Sequence, residues 1–276
     1  MAGGCWAKTD EAYVTLLYGD EFLLGVRVLG KSIQDTGSTK DMVVLVSDGV
    51  SDYAKKLLRA DGWILWPISL LANPNQVRPK RFWGVYTKLK IFNLTRYRKV
   101  VYLDADTIVL KNIDDLFNCG RFCANLKHSE RLNSGVMVVE PSETVFNDMM
   151  SKVNSSPSYT GDVFYVQWMV NETELKVIHY TLGPLKPWDW WTAWLVKPVD
   201  VWQNARVKLE ESLPGTGGGR NPNQQLLLKL LFSFPYVLYY YVTTGPAFRF
   251  KSGGGLPTYS GVSATSSSII KSNQQV

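Results

Sequence analysis

Short apolar runs recur through the first half of the chain, separated by stretches with helical periodicity. The runs cover residues 12–17, 42–46, 63–66, 100–103 and 136–139, and none shows the polar alternation of a half-solvated strand. Such runs fit strands in a sheet covered on both faces. Between them, 22–33 carries apolar residues at helical spacing (Phe22, Val26, Leu29, Ile33), 51–59 opens on the N-cap residue Ser51, and 82–94 reads as another helix. Strands alternating with helices require crossover connections, so the expected fold class is α/β with a mainly parallel sheet.

Composition removes other classes. With 45% hydrophobic and 20% charged residues, the chain is too apolar to be disordered overall. Three cysteines cannot build a disulfide scaffold, and two histidines exclude a His-rich metal cluster. The net charge of +6 suits an anionic ligand or surface but is too dispersed to argue for nucleic acid. Residues 1–10 contain no apolar core of a signal peptide, so none is expected. The apolar segment 226–243, interrupted by Lys229 and Pro235, reads as a short membrane anchor, an interfacial helix or a buried core helix. A Pro- and Trp-rich arm with a Gly-rich flexible linker is expected over 191–225, and a disordered tail over 244–276.

The strongest local signal sits where the run 100–103 ends in Asp104-Ala105-Asp106. Strand period two places both carboxylates on one side. Parallel sheets bind ligands beyond the carboxyl ends of their strands. Two acids there call for a cation such as Mg²⁺ or Mn²⁺, which in turn clamps a diphosphate. Asn133-Ser134-Gly135 offers an amide, a hydroxyl and room for close approach to a sugar. His179 closes an apolar run and can supply nitrogen to a mixed metal site. Lys186, after Gly183-Pro184-Leu185, can act as a point charge on phosphate, and Asp162 is a further isolated acid.

These pieces, in this order and over about residues 12–190, resemble glycosyltransferase family eight and, within it, the plant glycogenin-like branch. The lipid-directed members of that branch, which glucuronosylate inositol phosphorylceramide, are the most similar in wording. The resemblance rests on 13–17, 28–30, 86–89, 100–106, 112–117, 133–135, Gly161-Asp162 and 177–188. It implies a single Rossmann-like nucleotide-sugar domain of the glycosyltransferase A type, a UDP-sugar donor and retention of anomeric configuration. It implies Mn²⁺, or alternatively Mg²⁺, on Asp104, Asp106 and His179. Thr15, Leu16, Lys88 and Ala105 would line the nucleotide, and Gly183 and Lys186 the pyrophosphate. Asn133 would face the donor sugar and Asp162 the reaction centre. The acceptor would be a glycolipid or glycan, at the lumenal face of the Golgi membrane.

The sequence departs from the family after Asp162. Where the family reads Gly-Asp-Gln-Gly and then Leu-Asn, Gly161-Asp162 runs into Val163 without the Gln or the Leu-Asn, and His179 follows only 17 positions later. An internally shortened domain, incomplete after 162, is therefore expected. Two other readings stay open: a glycogenin-like or xylan-modifying transferase, and an inactive isoform that still binds nucleotide-sugar.

Overall fold

The structure, a computed structural model, describes residues 8–71, 85–126, 132–153, 175–180, 186–194, 198–218 and 222–244. Asp162, Gly183 and the tail beyond 244 lie outside them. The chain divides into two compact units, residues 1–228 and 229–276.

The first unit is built on β1 (Glu11–Leu17), β2 (Asp41–Val46), β3 (Ile64–Pro67) and β4 (Lys99–Leu103), which run parallel in the order β3-β2-β1-β4. The sheet continues through β7 (Leu132–Val139) and β6 (Phe122–Leu126), each antiparallel to its neighbour. A separate antiparallel pair joins β5 (Thr107–Val109) to β8 (Val177–His179). The four parallel strands coincide with the first four apolar runs, and both sheet faces are covered. On one face Tyr13, Leu17, Val44, Val101 and Leu103 meet Val26, Leu29 and Ile33 of α1 (Leu23–Asp35) and Leu58 of α2 (Asp52–Ala60). On the other, Val14, Leu16, Val43, Leu45, Val100 and Tyr102 meet Ile91, Phe92 and Leu94. Ser51 caps α2 as expected, its side chain accepting from Ala54 N–H.

Two regions differ from the sequence expectations. Val85–Asn93 forms 3-10 turns rather than an α-helix. Residues 198–218 are not an extended arm with a flexible linker. Val199–Ser212 is a helix, α4, that follows α3 (Glu143–Val153) in chain order. It packs on α1 and buries Trp202, Ala205 and Leu209 with Val28 and Ile108. The following glycine loop is tied down. Arg27 Nη1 and Nη2 donate to Thr216, Arg206 Nη1 donates to Gly217 O at 2.9 Å, and Glu210 accepts from the Gly215 and Gly217 amides. Gly215 and Gly218 take left-handed φ values of 82° and 81°, which side-chain-bearing residues rarely adopt. Arg27 is also paired with Asp61 at 2.6 Å, and both side chains are buried. Cys119 and Cys123 form a disulfide at the entry to β6. Two of the three cysteines thus make a local clasp rather than a scaffold.

The apolar segment forms α5 (Pro222–Thr244), with Pro235 inside it. Its Leu230, Phe232, Phe234, Tyr236 and Tyr239 side chains are exposed. Among the described residues no helix is long and apolar enough to cross a membrane.

Candidate active site

The parallel sheet reverses its order of connection between β1 and β4, and open α/β sheets bind ligands at such a switch point, beyond the strands' carboxyl ends. Asp104 and Asp106 occupy that edge. The turn after β4 is pinned by Asp104 N–H donating to Gly135 O at 2.9 Å and by Thr107 N–H donating to Asp104 O at 3.0 Å. β5 then leaves the main sheet and pairs with β8 in a register that sets Thr107 opposite His179. The pairing delivers His179 to the acids. Its Nε2 lies 3.1 Å from Asp106 Oδ1 and 3.5 Å from Asp104 Oδ2.

Two lysines close the cluster. Lys88 Nζ sits 2.7 Å from Asp104 Oδ1 and 2.8 Å from Oδ2, and donates to Ser134 Oγ at 3.2 Å. Lys186 Nζ donates to Asp106 Oδ2 at 2.5 Å and to Tyr180 O at 3.3 Å. Asp189 holds the Lys186 backbone through its Oδ2 at 3.2 Å. Burial alone would raise the Asp106 carboxyl. The hydrogen bond and charge of His179 and the Lys186 ammonium outweigh it and hold the group well below the usual carboxylate range.

Asp104, Asp106 and His179 offer ligand atoms that all lie within 4.8 Å of one another. Two carboxylates and an imidazole form a mixed oxygen–nitrogen donor set. Carboxylates suit hard divalent ions such as Mg²⁺ and Mn²⁺, and the imidazole adds a nitrogen donor. The buried His179 Nδ1 has no partner among the described residues. The residues present therefore fit a divalent ion.

Gly135 packs against the same histidine. A Cβ built there would lie 2.8 Å from His179 Nε2, with Nδ1 and Cε1 closer still. Close approach is required here by the imidazole of His179. Asn133 Oδ1 accepts from Gly135 N–H at 2.9 Å, which shapes the same segment of β7. Gly25 plays a matching role on α1, where a Cβ would lie 2.6 Å from Ala105 O and 2.7 Å from the Trp188 ring. Ala105 is thus held between α1 and the two acids. Leu16 is buried and Thr15 fully so, its hydroxyl without a partner among the described residues.

Two residues near the acids have no place among the sequence expectations. Tyr102 is buried and donates to Asp104 Oδ1 at 2.8 Å, while Lys88 Nζ lies 5.5 Å above its ring. Burial, and then the Asp104 charge, push its hydroxyl well above the ordinary value, so it stays a donor. Its position two residues before Asp104 on one strand was the available signal. Tyr18, just past β1, has a partly exposed ring. Burial of its hydroxyl and the charges of Glu21, Asp104 and Asp106 push its pKa up to about 12.

Residues 13–121 match the family described as "Glycosyl transferase family 8". The chain carries a glycosyl transferase family 8 domain. Inositol phosphorylceramide glucuronosyltransferase 1 of Arabidopsis thaliana is 64% identical to it, over 83% of this chain and 52% of that protein. UDP-glucuronate:xylan alpha-glucuronosyltransferase 1 of the same organism is 36% identical, over 55% of this chain and 23% of its own length. The family 8 chain thus spans about half the length of the first relative. The alignment to that relative runs over 277 positions yet takes in only 83% of this chain. Among solved structures, a galactosyltransferase, LgtC, in complex with donor and acceptor sugar analogs superposes with a TM-score of 0.54 at 17% identity. The match covers 74% of this chain and 97% of LgtC, and the two share the fold.

Proposed function

We propose that this family 8 domain is the donor-binding part of a retaining glucuronosyltransferase that uses UDP-glucuronate with Mn²⁺ and delivers the sugar to inositol phosphorylceramide. The observation that carries the reading is the convergence of Asp104, Asp106, His179, Lys88 and Lys186 at the switch point of the sheet. The names of the two relatives support glucuronate, and that of the more similar one supports the lipid acceptor.

Asp104, Asp106 and His179 would hold the ion, which when bound neutralises charge on the departing diphosphate. Lys186, with Gly183, would hold the pyrophosphate by charge and hydrogen bonding. Lys88, Ala105, Leu16 and Thr15 would line the nucleotide, Thr15 through the hydroxyl that lacks a partner. Asn133 spends its oxygen on Gly135 N–H, which leaves its amide nitrogen to meet a sugar hydroxyl. Asp162 would stand beside the donor sugar at the reaction centre. The acceptor hydroxyl would enter from the side where the family's missing blocks belong, so turnover by this chain should be slow.

The Cys119–Cys123 disulfide supports an oxidising compartment, as a lumenal Golgi site would be. The exposed apolar side chains of α5 support contact with a membrane surface. The test is a donor and acceptor screen with purified protein and Mn²⁺. Glucuronate transfer from UDP-glucuronate to inositol phosphorylceramide is expected. Transfer to xylan oligosaccharides instead, or preference for UDP-glucose, would refute the assignment.

A further inference from the structure

Lys88 and Lys186 each spend their ammonium on a carboxylate that the ion would need. Lys88 contacts both oxygens of Asp104, at 2.7 and 2.8 Å. Lys186 contacts Asp106 Oδ2 at 2.5 Å, while His179 takes the other oxygen at 3.1 Å. Both lysine side chains keep some exposure, 22% and 21%, so each has room to leave. Two ammoniums against two carboxylates leave the metal-free cluster near neutrality, with little attraction for a diphosphate. An incoming divalent ion would claim the same oxygen lone pairs and release both ammoniums. The pocket would then carry surplus positive charge, with two flexible cations ready for phosphate oxygens.

We infer that Lys88 and Lys186 are exchangeable counter-ions. They occupy the ion's carboxylates in the metal-free protein, and their transfer to the diphosphate couples the binding of ion and nucleotide. The inference rests on the proposed ion site and adds to it a direction of effect. Each lysine opposes the ion when diphosphate is absent and favours it when diphosphate is present. A lysine that only held phosphate would leave ion affinity unchanged without nucleotide. By linkage, the factor by which UDP tightens the ion equals the factor by which the ion tightens UDP.

The experiment is Mn²⁺ titration of wild type, Lys186→Met, Lys88→Met and the charge-retaining Lys186→Arg, by calorimetry and by paramagnetic resonance of free Mn²⁺, with and without UDP. Without UDP, each methionine variant should bind Mn²⁺ about tenfold more tightly than wild type, within the usual range of coupling factors. The tightening by UDP should shrink in the same variants, and Lys186→Arg should follow wild type. Melting of the metal-free variants should fall, and Mn²⁺ should raise it by more than it raises wild type. This readout needs no turnover. Unchanged or weaker Mn²⁺ binding by the methionine variants without UDP overturns the inference while leaving the ion site intact. Absence of Mn²⁺ binding in all four proteins overturns the ion site, and the inference with it.

Discussion

Replacing Gly135 by alanine adds one methyl group at the point where β7 passes beneath the candidate metal histidine. That methyl would lie 2.8 Å from His179 Nε2 and closer to the other ring atoms. Ordinary van der Waals contact needs about 3.5 Å or more, so Nε2 would have to move by roughly 0.7 Å and the nearer ring atoms by about twice that. Metal sites tolerate ligand displacements of about 0.2 Å. The ring has little freedom to yield, because β8 is fixed to β5 and His179 already faces Asp106 at 3.1 Å. Overpacking of this kind costs about 1–3 kcal/mol of stability, which a folded domain can survive. Loss of support for a metal ligand typically costs about 10–100-fold in affinity. Gly135→Ala should therefore melt slightly lower than wild type and bind Mn²⁺ about 10–100-fold more weakly by calorimetry. Wild-type Mn²⁺ affinity in a folded Gly135→Ala protein would refute the argument that glycine is there to seat the imidazole.

Tyr102→Phe removes the donor that fixes Asp104 Oδ1. It should cost about 1.5 kcal/mol in chemical denaturation and weaken Mn²⁺ binding several-fold with little change in fold by circular dichroism. Arg27→Ala strands the buried Asp61 carboxylate and releases Thr216 from α1, so unfolding free energy should drop by about 3–5 kcal/mol. Asp114 accepts from Tyr13 Oη at 2.6 Å and from Ser38 Oγ at 2.7 Å. Burial would raise its carboxyl, but these hydrogen bonds, that of Asn112 and the charge of Lys40 lower it. A depressed folded-state pKa stabilises above the unfolded value and loses that stabilisation as pH falls through the folded value. The stability gap between wild type and Asp114→Asn should accordingly be full at pH 6 and shrink below about pH 4, as read by urea denaturation across pH.

The parallel half of the sheet was legible because its strands are buried on both faces. Burial of that kind leaves continuous apolar runs, as in Val43, Val44 and Leu45. The paired acids were legible for a related reason: they interrupt such a run where a parallel strand meets its ligand edge. The partners of His179 were legible only through the family resemblance. β5 is only three residues long, and its pairing with β8 crosses some seventy positions, a separation that local pattern cannot carry. The reason for Gly135 was hidden for the same cause, since what it makes room for arrives from β8. The stretch rich in Trp and Gly looked like arm and linker because its local propensities are those of loops. Its order comes from distant groups, with Trp202 packed beneath α1 and Arg27 and Arg206 reaching the glycine loop. Lys88 and Lys186 were legible only through family resemblance, and their placement against the acids needed the folded chain.

The most direct measurement is UDP binding to the purified protein with and without Mn²⁺, in wild type and in Asp106→Asn. If Asp104, Asp106 and His179 hold an ion that the diphosphate requires, wild type will bind UDP much more tightly with Mn²⁺, and Asp106→Asn will lose that gain while remaining folded. UDP binding that is indifferent to Mn²⁺, or a gain that survives in Asp106→Asn, would contradict the assignment of this cluster as the ion-dependent donor site.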